Sequence, residues 1–282
     1  KILRDKTGAG ILDCKKALDE SGGDIEKAID WLRKQGVNTA QKKSSRNATD
    51  GLVTVSIKDN SAIIFEINSE TDFVAKNDTF INFCNDISSI CHQNKINDIE
   101  KLKNITYCNS GNLVKDELTK LIAKLGENII IKRLKFLENK EAKYQKYLHN
   151  SLTENSGKIG VLLSYDCEKL DDKVELFSKN LAMHIAASDP TSIGIEDLDQ
   201  KIVERERTIY KEQLKSSGKP DNILEKIIDG KVNKFYDEVC LLEQFFVMEN
   251  KTKVKEHIAN FNNDNGYNFK INEFYIFKLG QD

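Results

Sequence analysis

Side chains able to hold a metal, attack a carbonyl or relay a proton are present in this chain, but not at spacings that would combine them. The four histidines, His92, His149, His184 and His257, lie far apart in sequence without metal-ligand spacing. His184, in the apolar run "LAMHIAAS", reads as a satisfied core residue. Six cysteines, at 14, 84, 91, 108, 167 and 240, include no C-x-x-C pair. Cys84 and Cys91 fall on one helical stripe, and the set reads as reduced, buried thiols. No G-x-x-x-x-G-K-S/T loop occurs, so nucleotide is not bound as in a P-loop protein, and no G-x-S-x-G elbow is found. "TGAG" at 7–10 has Asp13 where a third glycine would stand, and reads as a helix start with Thr7 as its cap. No catalytic residue, cofactor or metal is nominated, and the expectation is a non-enzyme.

One stretch does point outward. "NSETDFVAKND", Asn68 to Asp78, joins a strand-like run to a helix-like run, and such junctions are usually polar. Phe73 follows Asp72 there. Core packing is the default for an aromatic. The alternative is a rigid ring that fills a partner's pocket with little loss of entropy. Asp72 reads equally as a helix N-cap or as part of the same contact.

The elements that would carry this junction follow from hydrophobic periodicity. Of the 282 residues, 39% are hydrophobic and 31% charged, with a formal charge of −2. A sequence pI of about 6.2 argues against a surface that tracks polyphosphate. No secretory segment is read and no apolar run spans a bilayer, so the cytosol is the expected compartment, without membrane attachment. Residues 1–36 read as a small helical unit with little core, in which Asp24 caps a helix carrying Ile25, Ala28, Ile29 and Leu32 on one stripe. Residues 37–50, polar and basic, read as a linker. From Leu52 the period is two: Val53, Val55 and Ile57, then Ile63, Phe65 and Ile67, predict a hairpin with one buried face.

A helix with Phe80, Phe83, Cys84, Ile87, Ile90 and Cys91 follows. Another, over 113–125, leads to the strand "IIIKRLKFLE". The strand-then-helix pattern returns in "KIGVLLSY" and the stripe Val174, Phe177, Leu181 and Ile185. The expected class is α+β, with two related subdomains, 51–140 and 141–195. Residues 196–239 predict an antiparallel helical hairpin turning at Gly218 and Pro220, with the narrow stripe Leu198, Ile202, Ile209, Ile223 and Ile227. Strand-like "QFFVME" and "NFKINEFYIFKL" in 240–282 complete the second subdomain.

From "TGAGILDCKKALDESGGDIEKAIDWLRKQG" and "INSETDFVAKND", through "KLGENIIIKR", "KIGVLL", "AMHIAASDP", "SSGKP" and "FFVMEN", the chain resembles the bacterial elongation factor Ts family nearly end to end. The resemblance implies a guanine-nucleotide exchange factor for the GTPase elongation factor Tu, with an N-terminal ubiquitin-associated-like three-helix domain. It implies that Asp72 and Phe73 intrude beside the partner's magnesium and phosphates. It also implies contacts by Arg4, Ile11 and Leu12 with a helix of the partner's nucleotide domain. Leu125 and Gly126 would approach its phosphate-binding loop. His149, Val247 and Met248 would touch it elsewhere. Methionines are frequent in the family where Ile11 and Leu12 stand here, and a proline where Phe245 stands. The local alternatives are core packing for Arg4, Ile11 and Leu12, a helix C-cap for Gly126, and plain solvation for His149. The implied partner is elongation factor Tu, GDP-bound or nucleotide-free, with no nucleotide bound by this chain itself. The hairpin could support a homodimer or a 2:2 complex. Two other classes stay open on sequence: an RNA-associated protein, and an adaptor using the N-terminal domain and hairpin.

Overall fold

The computed structural model describes residues 1–108, 110–215, 220–249 and 251–281. The chain forms two compact units. One comprises Lys1–Glu138, Leu148–Gly160 and the chain from Phe277 onward; the other comprises Asn139–Tyr147 and Val161–Ile276. The boundary expected at 140/141 is therefore interleaved, because strand pairing draws later segments back to the first unit.

The first unit begins with α1 (Ile2–Thr7), α2 (Ile11–Glu20) and α3 (Ile25–Lys43) around Leu3, Cys14, Ala17 and Ala28. Asp24 caps α3 as expected, accepting from the Glu26 and Lys27 amides. Thr7 is not a cap for α2. It ends α1, where its hydroxyl donates to Leu3 and Gly8 closes the helix in the left-handed region. Half of the expected 37–50 linker is helical, since α3 continues to Lys43. Its second half is stabilised by packing on a later helix. A Cβ on buried Gly36 would sit 3.6 Å from that of Ala123, and Arg33 pairs with Asp116 at 3.4 Å. Tertiary contact here overrides a polar local sequence.

There follow β1 (Asp50–Lys58), β2 (Ser61–Ser69), α4 (Asp72–Ala75), α5 (Asp78–Asn94), α6 (Ile99–Lys103), α7 (Val114–Leu125) and β3 (Ile130–Glu138). With β4 (Lys143–His149), β5 (Ser156–Gly157), β6 (Ile159–Asp166) and β7 (Lys270–Lys278), the strands make two sheets, β3-β2-β1-β5 and β4-β6-β7. Mixed helix and sheet in this arrangement is an α+β fold.

The β1–β2 hairpin departs from expectation. Its two-residue turn, with Asp59 at φ 51°, pairs Leu52 with Ile67, Val53 with Glu66 and Val55 with Ile64. Odd-numbered residues thus oppose even-numbered ones. The stripe Val53, Val55, Ile57 lies on the face opposite to Ile63, Phe65, Ile67. Both faces are buried. Phe65, Ile63 and Ile67 join α5 and α7 in the main core, while Val53 and Val55 meet Gly160, where a Cβ would come within 2.7 Å and 2.8 Å of them. That second face also encloses Glu66, fully buried. Its carboxylate accepts from Arg133 at 2.7 Å, from Asn68 at 2.9 Å and from the Gly280 amide at 2.9 Å, which holds the residues after β7 within the first unit.

The stripe of α5 is buried as expected, and burial raises the Cys84 thiol and pushes that of Cys91 up to about 12. Cys108 is half-buried rather than buried.

In the second unit, α8 (Asp172–Ser188) packs Val174, Phe177, Leu181 and Ile185 against Val161, Leu163 and Tyr165. Residues 200–214 and 221–239 form α9 (Gln200–Leu214) and α10 (Asp221–Val239), joined by Leu198, Val203, Ile228 and Val232. The packed stripe is shifted from the expected one: Ile202 and Ile223 stay 41% and 44% exposed, because the side facing the neighbouring helix is set by Val203, Tyr210 and Leu214. Gly218 lies outside the described residues. "QFFVME" is not a strand. Phe245 makes a single bridge to Lys253, and the chain turns after buried Phe246. β4 and α11 (Val254–Asn265) are further elements, and α11 places Val254, Ile258 and Phe261, at i, i+4 and i+7, on the core of this unit.

Candidate functional site

Phe73 is 81% exposed, which settles its opening alternative against core packing. The reason is local. α4 is a single turn whose Val74 and Ala75 are buried in the main core, and about 100° of helical rotation per residue leaves the preceding side chain outside. The N-cap of this turn is Thr71, in extended backbone, not Asp72. Asp72 is half-buried as the first helical residue, and Lys76 donates to its carboxylate at 2.6 Å. That ammonium holds the Asp72 carboxyl below the usual carboxylate range, and Asp72 in turn raises Lys76. Asn77 then caps α5 through the Thr79 amide.

Two polar segments brace the junction. The Glu127 carboxylate accepts from the Glu70 amide at 3.1 Å, the Thr71 amide at 3.0 Å and the Thr71 hydroxyl at 2.7 Å. In return, Glu70 accepts from the Asn128 amide at 2.7 Å. The loop after α7 and the strand-to-helix turn are therefore reciprocally bonded. The chain after α3 joins them: the Asn128 side chain donates to the Arg46 carbonyl at 2.7 Å, Arg46 faces Glu70 at 3.5 Å, and Lys43 donates to the Gly126 carbonyl.

The other predicted residues are distributed as follows. Leu125 is half-buried against the main core and Gly126 is the left-handed C-cap of α7 at φ 75°, so both hold the loop that carries Glu127. Arg4 is exposed on α1, and Ile11 and Leu12 open α2 at 68% and 81% exposure. Packing within the small helical domain does not account for these three. His149 is exposed at the end of β4, its carbonyl accepting from the Lys158 amide. Val247 and Met248, in the second unit, are 46% and 48% exposed on the turn after Phe246. Buried His184 supports that turn. Its Nδ1 accepts from the Val247 amide at 3.2 Å, and Nε2 faces the side-chain Oε1 of Gln244 at 3.0 Å. An imidazole accepting at Nδ1 carries its proton on Nε2, and burial holds its pKa below the ordinary range.

The family model for Elongation factor TS matches residues 70–281. Across its whole length the chain is 42% identical to Elongation factor Ts of Rhodospirillum centenum, covering 91% of that protein. The chain belongs to the elongation factor Ts family. It is also 41% identical to Elongation factor Ts of Rhodospirillum rubrum, covering 91% of it, and 42% identical to that of Rickettsia felis, covering 90% of it, in both cases over all of this chain. The matched family segment takes in Asp72, Phe73, Glu70 and Glu127. No helix among the described residues is long and apolar enough to cross a membrane.

Asp72 and Phe73 are marked in the sequence by their place at a junction and by the family resemblance; the residues that hold their turn are not. Glu70, Thr71, Glu127, Asn128, Lys43 and Arg46 are common residue types in a chain rich in charge, and nothing in their local spacing marks them. Their pairing exists only once β3 pairs with β2, Asn68 opposite Ile130, and brings the loop after α7 to the junction.

Proposed function

We propose that this elongation factor Ts protein binds elongation factor Tu, GDP-bound or nucleotide-free, and promotes GDP release by differential binding, without making or breaking a bond. The observation that carries the proposal is Phe73, a large aromatic 81% exposed on a turn held by hydrogen bonds on both sides. A ring carried on a backbone already held in place leaves only its side-chain freedom to be lost on docking, so more of its burial goes into the interface. In this reading, Phe73 and Asp72 enter the partner's nucleotide domain and disturb its magnesium site, loosening the cation that clamps the phosphates. Because the factor binds the nucleotide-free state more tightly, linkage requires that it weaken GDP by the same factor. GTP then enters and the factor is displaced. The exchange factor itself holds no nucleotide.

Exposed Arg4, Ile11 and Leu12, on a domain proposed to be ubiquitin-associated-like, would anchor the factor on the partner. Leu125 and Gly126 would lie near its phosphate-binding loop, with His149, Val247 and Met248 as contacts away from the nucleotide. The helices α9 and α10 are proposed to be an antiparallel hairpin that could support a homodimer or a 2:2 complex, and the site of action to be the cytoplasm. The test is release of a fluorescent GDP from elongation factor Tu at fixed magnesium, with and without this protein. Strong acceleration supports the proposal. Unchanged release by the folded protein with the cognate partner overturns it.

A further inference from the structure

Most polar groups near Phe73 are spent on one another rather than offered to a partner, and this gives them a role. We propose that Glu127 is a positioning residue for exchange: its carboxylate, by holding Glu70 and Thr71, sets the direction in which Phe73 is presented. The inference rests on the exchange reading above.

The turn that carries Phe73 is only four residues long, so its helical hydrogen bonds cannot hold it rigidly. Its inner side is fixed by buried Val74 and Ala75. Its leading side is fixed from outside, by three donors converging on one carboxylate. Two of those donors are the backbone amides of residues 70 and 71, immediately before Asp72. Thr71 is the N-cap, and its side chain makes no cap bond to its own helix. The hydroxyl that would ordinarily cap the turn is instead directed at Glu127. The cap has in effect been exchanged for a tie to a different element. Glu127 can serve because Gly126, in the left-handed region, ends α7 one residue earlier and turns the chain toward β2. The Lys43 ammonium on the Gly126 carbonyl and the Glu70–Asn128 bond hold the same loop from two further sides. Loss of the tie would leave Phe73 exposed but free to swing, which lowers the share of encounters in which the ring is aimed productively.

The test compares Glu127→Ala with Glu127→Gln in the full-length protein, with Phe73→Ala alongside. Glutamine keeps an oxygen for the two amides, and its NH2 can donate to the Thr71 hydroxyl, so the tie persists without the charge. Expected for Glu127→Ala are a maximal GDP-release rate about ten-fold lower, a half-saturating factor concentration changed by less than about three-fold, and faster hydrogen exchange at the Glu70 and Thr71 amides. Glu127→Gln should stay within about two-fold of the parent. Thr71→Val, which removes only the hydroxyl, should lower the maximal rate in the same sense and serves if Glu127→Ala does not fold. Equal losses in the Gln and Ala variants, or a loss confined to half-saturation, overturn the positioning role. So does normal release by both Glu127→Ala and Thr71→Val while Phe73→Ala is impaired. If Phe73→Ala itself releases GDP normally, the exchange reading of Phe73 falls instead.

Discussion

Replacing Phe73 with alanine separates folding from function. With 81% of the residue in solvent, the substitution removes almost no packing in the free protein. The helical turn keeps its anchors, Val74 and Ala75, and its brace. Stability should therefore change by no more than about 0.5 kcal/mol, the range of surface substitutions. In the exchange complex the same ring would go from open to enclosed. An aromatic side chain buries about 150–250 Å², so covering the 81% of this one that is exposed would contribute roughly 3–5 kcal/mol at about 25 cal/mol per Å², as an upper bound. Measured anchors of this kind more often contribute about 2–4 kcal/mol, a factor of roughly 30 to 1,000 in rate if the contact forms as GDP leaves. The assay is stopped-flow release of fluorescent GDP from elongation factor Tu over a range of factor concentrations, with urea unfolding of the free variant in parallel. A large loss of maximal rate with an unmoved urea midpoint is expected. A variant that exchanges within about two-fold of the parent would refute it, and so would one that loses stability by a core-sized amount.

Arg133→Ala leaves the Glu66 carboxylate, 0% exposed, without its cation, and should destabilise the first unit by about 3–5 kcal/mol in urea unfolding. A midpoint shift worth less than about 1 kcal/mol, the value of a surface pair, would mean that the pair is not isolated from water. Gly51 stands at φ 127°, where a Cβ would come within 2.2 Å of the Ile67 carbonyl oxygen, so Gly51→Ala should lower Tm by an amount equivalent to roughly 2–3 kcal/mol; an unchanged Tm contradicts this crowding. Burial lowers the pKa of His92, His184 and His257 in the folded chain. The unfolded chain thus takes up protons first as pH falls. The stability contributed by the neutral rings is complete above the ordinary value of 6.5 and is lost as pH drops from there toward the depressed folded values. Calorimetry between pH 8 and 5.5, about the range in which histidine titrates, should show Tm level at the alkaline end and falling below the ordinary value. A Tm that rises on acidification refutes this.

The sequence by itself determined the α+β class, most of the elements and the unusual place of Phe73. Those conclusions rest on properties a chain carries locally: a period of two at Val53–Ile57, the helical stripe from Phe80 to Cys91, and an aromatic between polar neighbours at a junction. Local periodicity says which side chains share a face of one element. It does not say which face of a second element they meet. The two hairpin stripes were expected on one side and lie on opposite sides, because a two-residue turn pairs odd positions with even ones. The α9–α10 stripe was likewise displaced, and α3 was extended by a helix about 80 residues later, a separation at which only tertiary packing acts. The brace is the same case. Glu127 and Thr71 are 56 positions apart, and a carboxylate carries no sequence mark of the amides it will accept from. That an aromatic stands at a polar junction was legible in the chain; that it is exposed, and what holds its turn still, was decided only when β3 paired with β2.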